Sequence, residues 1–501
     1  MTPDFLLTIE VCGTTHRLST LTRVFDALPY RLELDPGLDV ALSSPEDVSV
    51  RVVSPALWQW AEELDSASAE LRFLDADGSV EVVTTGRVVA PVYGGRLDSI
   101  GLTISRDVSG VTRGSQVPAE TRRVSAETWP VGTGDLGTEG AMYPVIFGYP
   151  GFIGSGSNPI PCVPIPLAEL VVGDTSATYM LVSEDPRAEI TSLRVRLTDQ
   201  EDHPEFDQDV VSIVDLLGQP VLVCDCTTGG LASIPDSTTS GLLAGFSDAG
   251  GGGVARSMYD AVRYLLERWG PGSVDWTRLS DAQDILGPLN VDSFVSSPVA
   301  DPWVLIDAWL QWLPVVVRVG ERGRYLVPKR YVHDESRVVG ELIGATRVGG
   351  VSRDGPPENE VVVQFRNDPQ VGWRDQVVVV GSILDMQAPE DPDRTRTVET
   401  AAARRSYSRY GRRPGPRIAI DWTWDVGTAL AVAGHVIERR ALPCRMVSYD
   451  VPLAQASRWR EGDELLVTDP DLGWAGVAAI IDAPPRLTLE QARVVLRIPG
   501  A

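Results

Sequence analysis

Hydrophobic and polar positions alternate with a period of two through much of the first hundred residues. Val48, Val50 and Val52 alternate with polar neighbours, as do Val80 and Val82, and each run predicts a half-buried strand. Asp75-Ala76-Asp77-Gly78 separates LRFL from VEVVTTGRVVA, which predicts a hairpin with suitable turn residues. With a further strand at 97–104, these runs predict a compact β-domain over 1–107. The pattern then thins over 108–160 into an extended Gly/Pro-rich connector, whose aromatic stretch from Met142 to Gly151 reads as a buried segment against a β-core. A second β-region is expected over 161–250, with strands in LAELVVG, ATYMLVS, ITSLRVRLT and VLVCDCT, closed by a small-residue spacer at 247–253.

After residue 254 the period changes. Val254, Met258, Ala261, Val262, Leu265, Leu266 and Trp269 recur at three and four residues and predict a helix stopped by Gly270-Pro271-Gly272. Trp303, Ile306, Leu310 and Leu313 mark a second helix, with Asp301 as N-cap and Pro302 in its first turn. The segment 254–330 therefore reads as a small α/β module. Strands return over 331–397, including ENEVVVQF and RDQVVVVGSI, before a polar link at 391–396. The final unit, 398–501, combines helices at 398–409 and 427–439 with strands in CRMVSYDVPL, DELLVTD, WAGVAAIID and ARVVLRI.

Composition changes this picture little. The 501 residues suit several domains, and the 43% hydrophobic and 23% charged content is that of a folded chain. Charge matters more: 44 Lys and Arg against 69 Asp and Glu leave a formal −25, a field that repels phosphate backbones. A local basic surface around Arg404, Arg405, Arg409, Arg412 and Arg413 is compatible with that total. The five cysteines are scattered, which excludes a disulfide scaffold, and Cys224 with Cys226 reads as a buried thiol pair. Only four histidines are present, none beside a cysteine, so no zinc site is expected. The start of the chain carries no basic segment followed by an apolar core, and no apolar run is long enough to span a membrane, so folding in the cytoplasm is the expectation.

Three series of residues resemble the tail hub, or tail-tip hub, proteins of tailed bacteriophages and gene transfer agents, relatives of the baseplate hubs of contractile tails. One is Gly86-Arg87-Val88-Val89-Ala90-Pro91 before a strand. Another is Val274-Asp275-Trp276 and Val291, followed by the helix from Trp303 to Leu313 and Arg324-Tyr325. The fullest begins with Tyr407, Tyr410, Gly411 and Arg412, continues through Tyr449 and Pro452, and ends with Gly462-Asp463 and Asp469-Pro470. The resemblance implies a multi-domain, mainly β fold with α+β insertions: two hub-type β-barrel domains and a small helix-containing module. It further implies a homotrimer whose ring joins the tail tube to tip or fibre proteins and surrounds the path of tape-measure protein and DNA. The implied location is a virion tail assembled in the bacterial host cytoplasm, with DNA in passage and not bound specifically. An acidic lumen would then disfavour adhesion of DNA.

No catalytic residue, metal site or cofactor is expected. The acidic cluster Glu201, Asp202, Glu205, Asp207 and Asp209 lacks the spacing of a calcium loop and reads as a solvated loop. The glycine-rich run 148–154 lacks the Lys and Ser/Thr of a phosphate loop, and Ser155 and Ser157 form no nucleophile elbow. Most of the 13 tryptophans belong to cores, while Trp309 and Trp312, off the main stripe, are candidate interface anchors together with Tyr149 and Phe152. Two alternatives remain: another tail or neck component, and a carbohydrate-binding or carbohydrate-cleaving β-protein. The latter predicts two carboxylates facing one another across an open groove.

Overall fold

In a computed structural model, the structure describes residues 4–19, 31–33, 40–41, 48–53, 60, 63–65, 67–74, 80–93, 99–105, 115–117, 123, 125, 140–143, 145–148, 160–161, 163–166, 178–184, 192–197, 205–216, 219–225, 242–246 and 255–499, the last stretch less 271–273, 296, 321–322, 330–332, 354, 369–371, 386–390, 443, 457–458, 483–485 and 488–490. The fold is β-rich and multidomain, with helical insertions.

The first sheet has seven antiparallel strands in the order Thr14–Ser19, Asp4–Val11, Ser68–Leu74, Val80–Tyr93, Ser99–Ser105, Val48–Val53 and Arg31–Glu33. Alternation decides which face is buried: Leu7, Ile9 and Val11 point inward, as do Ile100, Leu102 and Ile104. The sheet curls until its edge strands, Thr14–Ser19 and Arg31–Glu33, come within 8 Å of each other, but no ladder joins them. It is a half-barrel. No second closed barrel is resolved among the described residues, in contrast to the two barrels the resemblance implied, because the other large sheets keep open edges.

One of these is a nine-stranded sheet running from Ile160–Pro161 through Leu242–Phe246, Ser192–Leu197, Glu205–Leu216, Gln219–Asp225 and Thr178–Glu184 to Val145–Phe147 and Ser293–Val295, with Val163–Pro166 paired to Thr178–Glu184. The expected solvated loop at 201–209 is corrected here, since Glu205–Asp209 is ladder. The register sets Arg196 opposite Glu205 and Arg194 opposite Asp207. The aromatic stretch of the connector is also more than a link: Val145–Phe147, fully buried, is a strand of this sheet. The hairpin turn at 75–78, LAELVVG, the spacer at 247–253 and Cys226 lie outside the described residues, as do residues 201–204 and the side chain of Cys224.

The helices are α1 (Met258–Trp269), α2 (Trp276–Leu279), α3 (Gln283–Leu286), α4 (Pro302–Leu310), α5 (Ala401–Tyr410), α6 (Val426–Arg440) and α7 (Leu453–Ala456). Their ends follow local chemistry. Ser257 caps α1, and the Asp301 carboxylate accepts from the Trp303 amide at 3.0 Å with Pro302 at the first position. Gly270 closes α1 through its N–H to Leu266 O, where a Cβ would sit 2.2 Å from that oxygen. Residues 395–399 form a strand, so α5 starts later than the periodicity suggested, after its cap Thr400. The polar link at 391–396 is a 3-10 turn, Pro392–Arg394, leading into that strand.

A four-stranded sheet, Thr395–Glu399, Gly372–Val380, Glu360–Asp368 and Pro414–Ala419, carries α6 on one face. An eight-stranded sheet follows the order Val338–Leu342, Glu464–Asp469, Trp474–Ile481, Gln491–Ile498, Arg445–Pro452 and Thr346–Arg353. Off that path, Arg486–Leu487 pairs both Gln491–Ile498 and Val40–Ala41. Two apolar cores result. The first joins Leu7, Ile9 and Leu71 to Tyr449, Val494 and Leu496, so both ends of the chain share it. The second joins Val262, Leu265 and Trp303 to Val361, Val377 and Val432. The stretch 398–501 therefore divides, with α5 and α6 on the second core and the strands from Arg445 onward on the first.

Candidate functional site

The series Tyr407 to Pro470 separates into two polar knots on different sheets. At the first, α5 ends at Gly411, whose φ of 68° carries the chain into Arg412. Arg412 grips Glu360 with both arms of its guanidinium, at 2.6 and 2.9 Å. Asn359, 1% exposed, completes the knot: its amide donates to Gly411 O and Ser406 Oγ, and its carbonyl accepts from the Arg413 amide. Tyr407 OH donates to Asp385, which holds that carboxyl below its ordinary pKa and raises that of the phenol. Gly381 is required there, because a Cβ would sit 2.3 Å from that of Tyr407. Tyr410 stacks beneath Arg409 at 5.8 Å.

The second knot is buried in the eight-stranded sheet. Tyr449 OH donates to Asp469 Oδ2 at 2.7 Å, and Asp469 Oδ1 accepts from the amides of Asp471 and Leu472 to cap the turn begun by Pro470. Arg347 adds its charge at 3.4 Å. Burial, followed by the bond to Asp469, pushes the Tyr449 phenol well above its ordinary pKa. Gly462 takes φ 91° and donates to Ile481 O, and the Asp463 carboxylate accepts from the Arg460 amide. Pro452 is exposed at the end of its strand. The Asp469 and Asp463 carboxylates both accept from backbone amides and hold the turns around them in place.

Other polar residues, indistinct in the sequence, tie the parts together. Asp292, fully buried, accepts from Arg256 Nε and from the Trp424 amide, both at 3.3 Å. Glu464, also fully buried, accepts from the Asp334 amide and meets His333 Nδ1. Arg318 makes a two-bond pair with Glu461 at 2.6 and 2.7 Å, joining the hairpin Val315–Gly320 and Gly323–Pro328 to the turn before Glu464–Asp469. No sequence signal separates these residues from solvated charges, since each partner is far away along the chain.

Of the candidate interface aromatics, Trp309 is buried and meets Phe147 edge-to-face at 5.4 Å. Trp312 is half-buried at the border of the second core. Tyr149 and Phe152 lie outside the described residues.

Where the two cores meet, a cleft of about 550 Å³ opens. Arg318, Arg324, Lys329, Arg439 and Arg497 line it, and Asp307 is the one carboxylate in its wall among the described residues. Burial pushes the Asp307 carboxyl above its ordinary pKa, with Arg324 pulling it down and Asp301 adding to the rise. Leu310, Leu313, Val315 and Val317 provide apolar lining. Among the described residues, no group of three or more His, Cys, Asp or Glu could hold a metal ion, and no helix is long and apolar enough to cross a membrane.

No family model matches the chain, and no curated protein does. Among solved structures, the chain is similar to phage tail, baseplate and gene-transfer-agent proteins at low sequence identity. The 43 kDa tail protein of prophage MuSo2 from Shewanella oneidensis shares 10% identity over 99% of this chain and 98% of its own, with a TM-score of 0.35. A chain of the native gene transfer agent virion shares 11% over 50% of this chain and 80% of its own, at 0.16. A chain of the phage P2 baseplate, in its activated conformation with Ca, shares 8% over 78% and 99%, at 0.18.

Proposed function

We propose that the chain is the structural hub of a phage-like tail tip or baseplate. In this reading three copies form a ring that joins the tail tube to distal tip proteins and encloses the path of tape-measure protein and DNA. Each copy supplies two barrel-like units, the seven-stranded half-barrel being one. The observation that carries the reading is the open edge of the eight-stranded sheet. Among the described residues Val338–Leu342 has a ladder partner on one side alone, and Val339 and the adjoining Ile343 are 53% and 61% exposed. A bare apolar edge is a liability for a free chain and a ready contact for an assembled one. Closed symmetry needs such a repeated surface. Trp312 is a second candidate contact between subunits.

The carbohydrate reading is disfavoured by the cleft itself. Glycosidic chemistry needs two carboxylates across the bond, about 5–9 Å apart, whereas this wall offers Asp307 among five cations. Mass measurement in solution over rising concentration tests the proposal. The expected species has three times the 54.2 kDa chain mass. A stable monomer that binds oligosaccharide in its cleft would overturn it.

A further inference from the structure

Among the described residues, four of the six exposed large apolar side chains fall in two patches, two in each. One patch is the edge strand Val338–Leu342. Its period of two turns Val339, Glu341 and the adjoining Ile343 outward, an acid between two apolar side chains. Glu335 is exposed in the turn just before that strand. Glu341 accepts from the Thr468 hydroxyl at 3.5 Å, and neither it nor Glu335 pairs with a cation among the described residues.

The other patch surrounds α5. From Thr400 to Ile420 the chain carries six arginines and no acidic residue, on a protein of formal charge −25. Neighbouring strands place Glu399 near Arg404 and Glu360 on Arg412. Arg405 and Arg413 are exposed and meet no carboxylate among the described residues, and Arg413 Nε is held by Tyr410 O at 3.3 Å. Next to the helix, the turn after Gly372–Val380 presents Ile383 and Leu384, 47% and 96% exposed. That tip is tied down: the Ile383 amide donates to Glu399 at 2.7 Å, and Asp385 accepts from Tyr407 OH. An apolar tip fixed in this way loses little freedom on contact.

The two patches therefore share a design with opposite sign, apolar side chains beside acids on the edge and beside arginines on the helix. Copies of an acidic chain repel one another at long range. Screening beyond about 8 Å leaves the choice of contact to the local charges. The edge belongs to the first core and α5 to the second, so a contact between them across copies is heterologous, the kind that closes into a ring. A helix laid over an unpaired strand is also a common way to cover an edge.

We propose that the α5 patch of one subunit docks on the Val338–Leu342 edge of the next. Arg405 and Arg413 then face Glu335 and Glu341, and the tip of Ile383 and Leu384 covers Val339 and Ile343. The inference rests on the ring reading above and names its two contacting faces. Mass measurement of the full chain over rising concentration tests it. Reversing Arg405→Glu and Arg413→Glu together is expected to raise the concentration needed for assembly about tenfold or more. Leu384→Asp should act in the same direction by a similar factor. Adding Glu335→Lys and Glu341→Lys to the double arginine variant exchanges both signs and should restore assembly to within about threefold of the parent. A variant that had merely misfolded would gain nothing from changes on the other core. If the parent assembles and the double variant assembles equally well, the docking is overturned, the ring stands, and the patches belong to a different partner. Failure of the fourfold exchange to restore assembly also overturns the docking alone. A parent chain that stays single at every concentration overturns both readings.

Discussion

The two cores are built in opposite ways. The second gathers nearly all of its residues from 255–441, where α1 packs on α4 and α6 covers the four-stranded sheet whose last strand, Pro414–Ala419, lies just before it. The first gathers the two ends of the chain, so that Leu7 and Leu496 belong to one apolar cluster and Val40–Ala41 pairs with Arg486–Leu487. A core of local contacts closes short loops, whereas a core of chain ends forms only after the intervening chain is placed. The polar knots follow the same division. Arg412 with Glu360 is a surface clamp on the second core's sheet, while Tyr449 with Asp469 is buried in the first.

Substitutions can break this contrast. The largest effect is expected from Trp303→Ala, which empties a site 1% exposed in the second core and costs about 3–5 kcal/mol. Denaturant unfolding followed by hydrogen exchange checks it: protection should fall in α1 and α4 first and be retained longer in Asp4–Val11. Equal loss in both places would mean one cooperative core. Next is Tyr449→Phe, which leaves buried Asp469 without its hydroxyl donor at a cost of about 2 kcal/mol. Because the folded phenol titrates above its unfolded value near 10, its contribution is complete below that pH and is lost as pH rises further. An alkaline titration of stability should therefore be shallower in the variant.

Asp425→Ala removes the cap of α6 and should cost about 1 kcal/mol. Burial pushes this carboxyl up, but the Thr428 amide and hydroxyl and the Asn290 amide outweigh it, and the folded pKa is depressed. Its stabilisation is thus present above about pH 4 and fades as pH falls through the folded value, so the acid limb of the stability profile should flatten in the variant. The smallest effect is expected from Arg412→Ala. Its ion pair is at the surface, and the loss should be at most about 1 kcal/mol and shrink with added salt.

The same contrast explains what the sequence could say. The helices of the second core were legible because a 3.6-residue period, Asp301-Pro302 and Gly270 are signals a few residues long. Strand alternation in Leu7-Thr8-Ile9 was equally readable. That Leu7 would share a core with Leu496 was not, since no local pattern encodes a partner at the other end of the chain. Tyr449 and Asp469 could be singled out only by a resemblance of order and spacing. Asn359, Asp292 and Glu464 look like ordinary surface residues until the fold places each beside a distant donor. The cleft was invisible for the same reason: its cations are separated by up to 179 positions, from Arg318 to Arg497.

Image averaging of the purified full chain tests the central claim most directly. The account predicts threefold rings whose subunits meet along the Val338–Leu342 edge, and a charged replacement at Val339 that returns the particles to single subunits. Rings of another symmetry, or single subunits at every concentration, would contradict it.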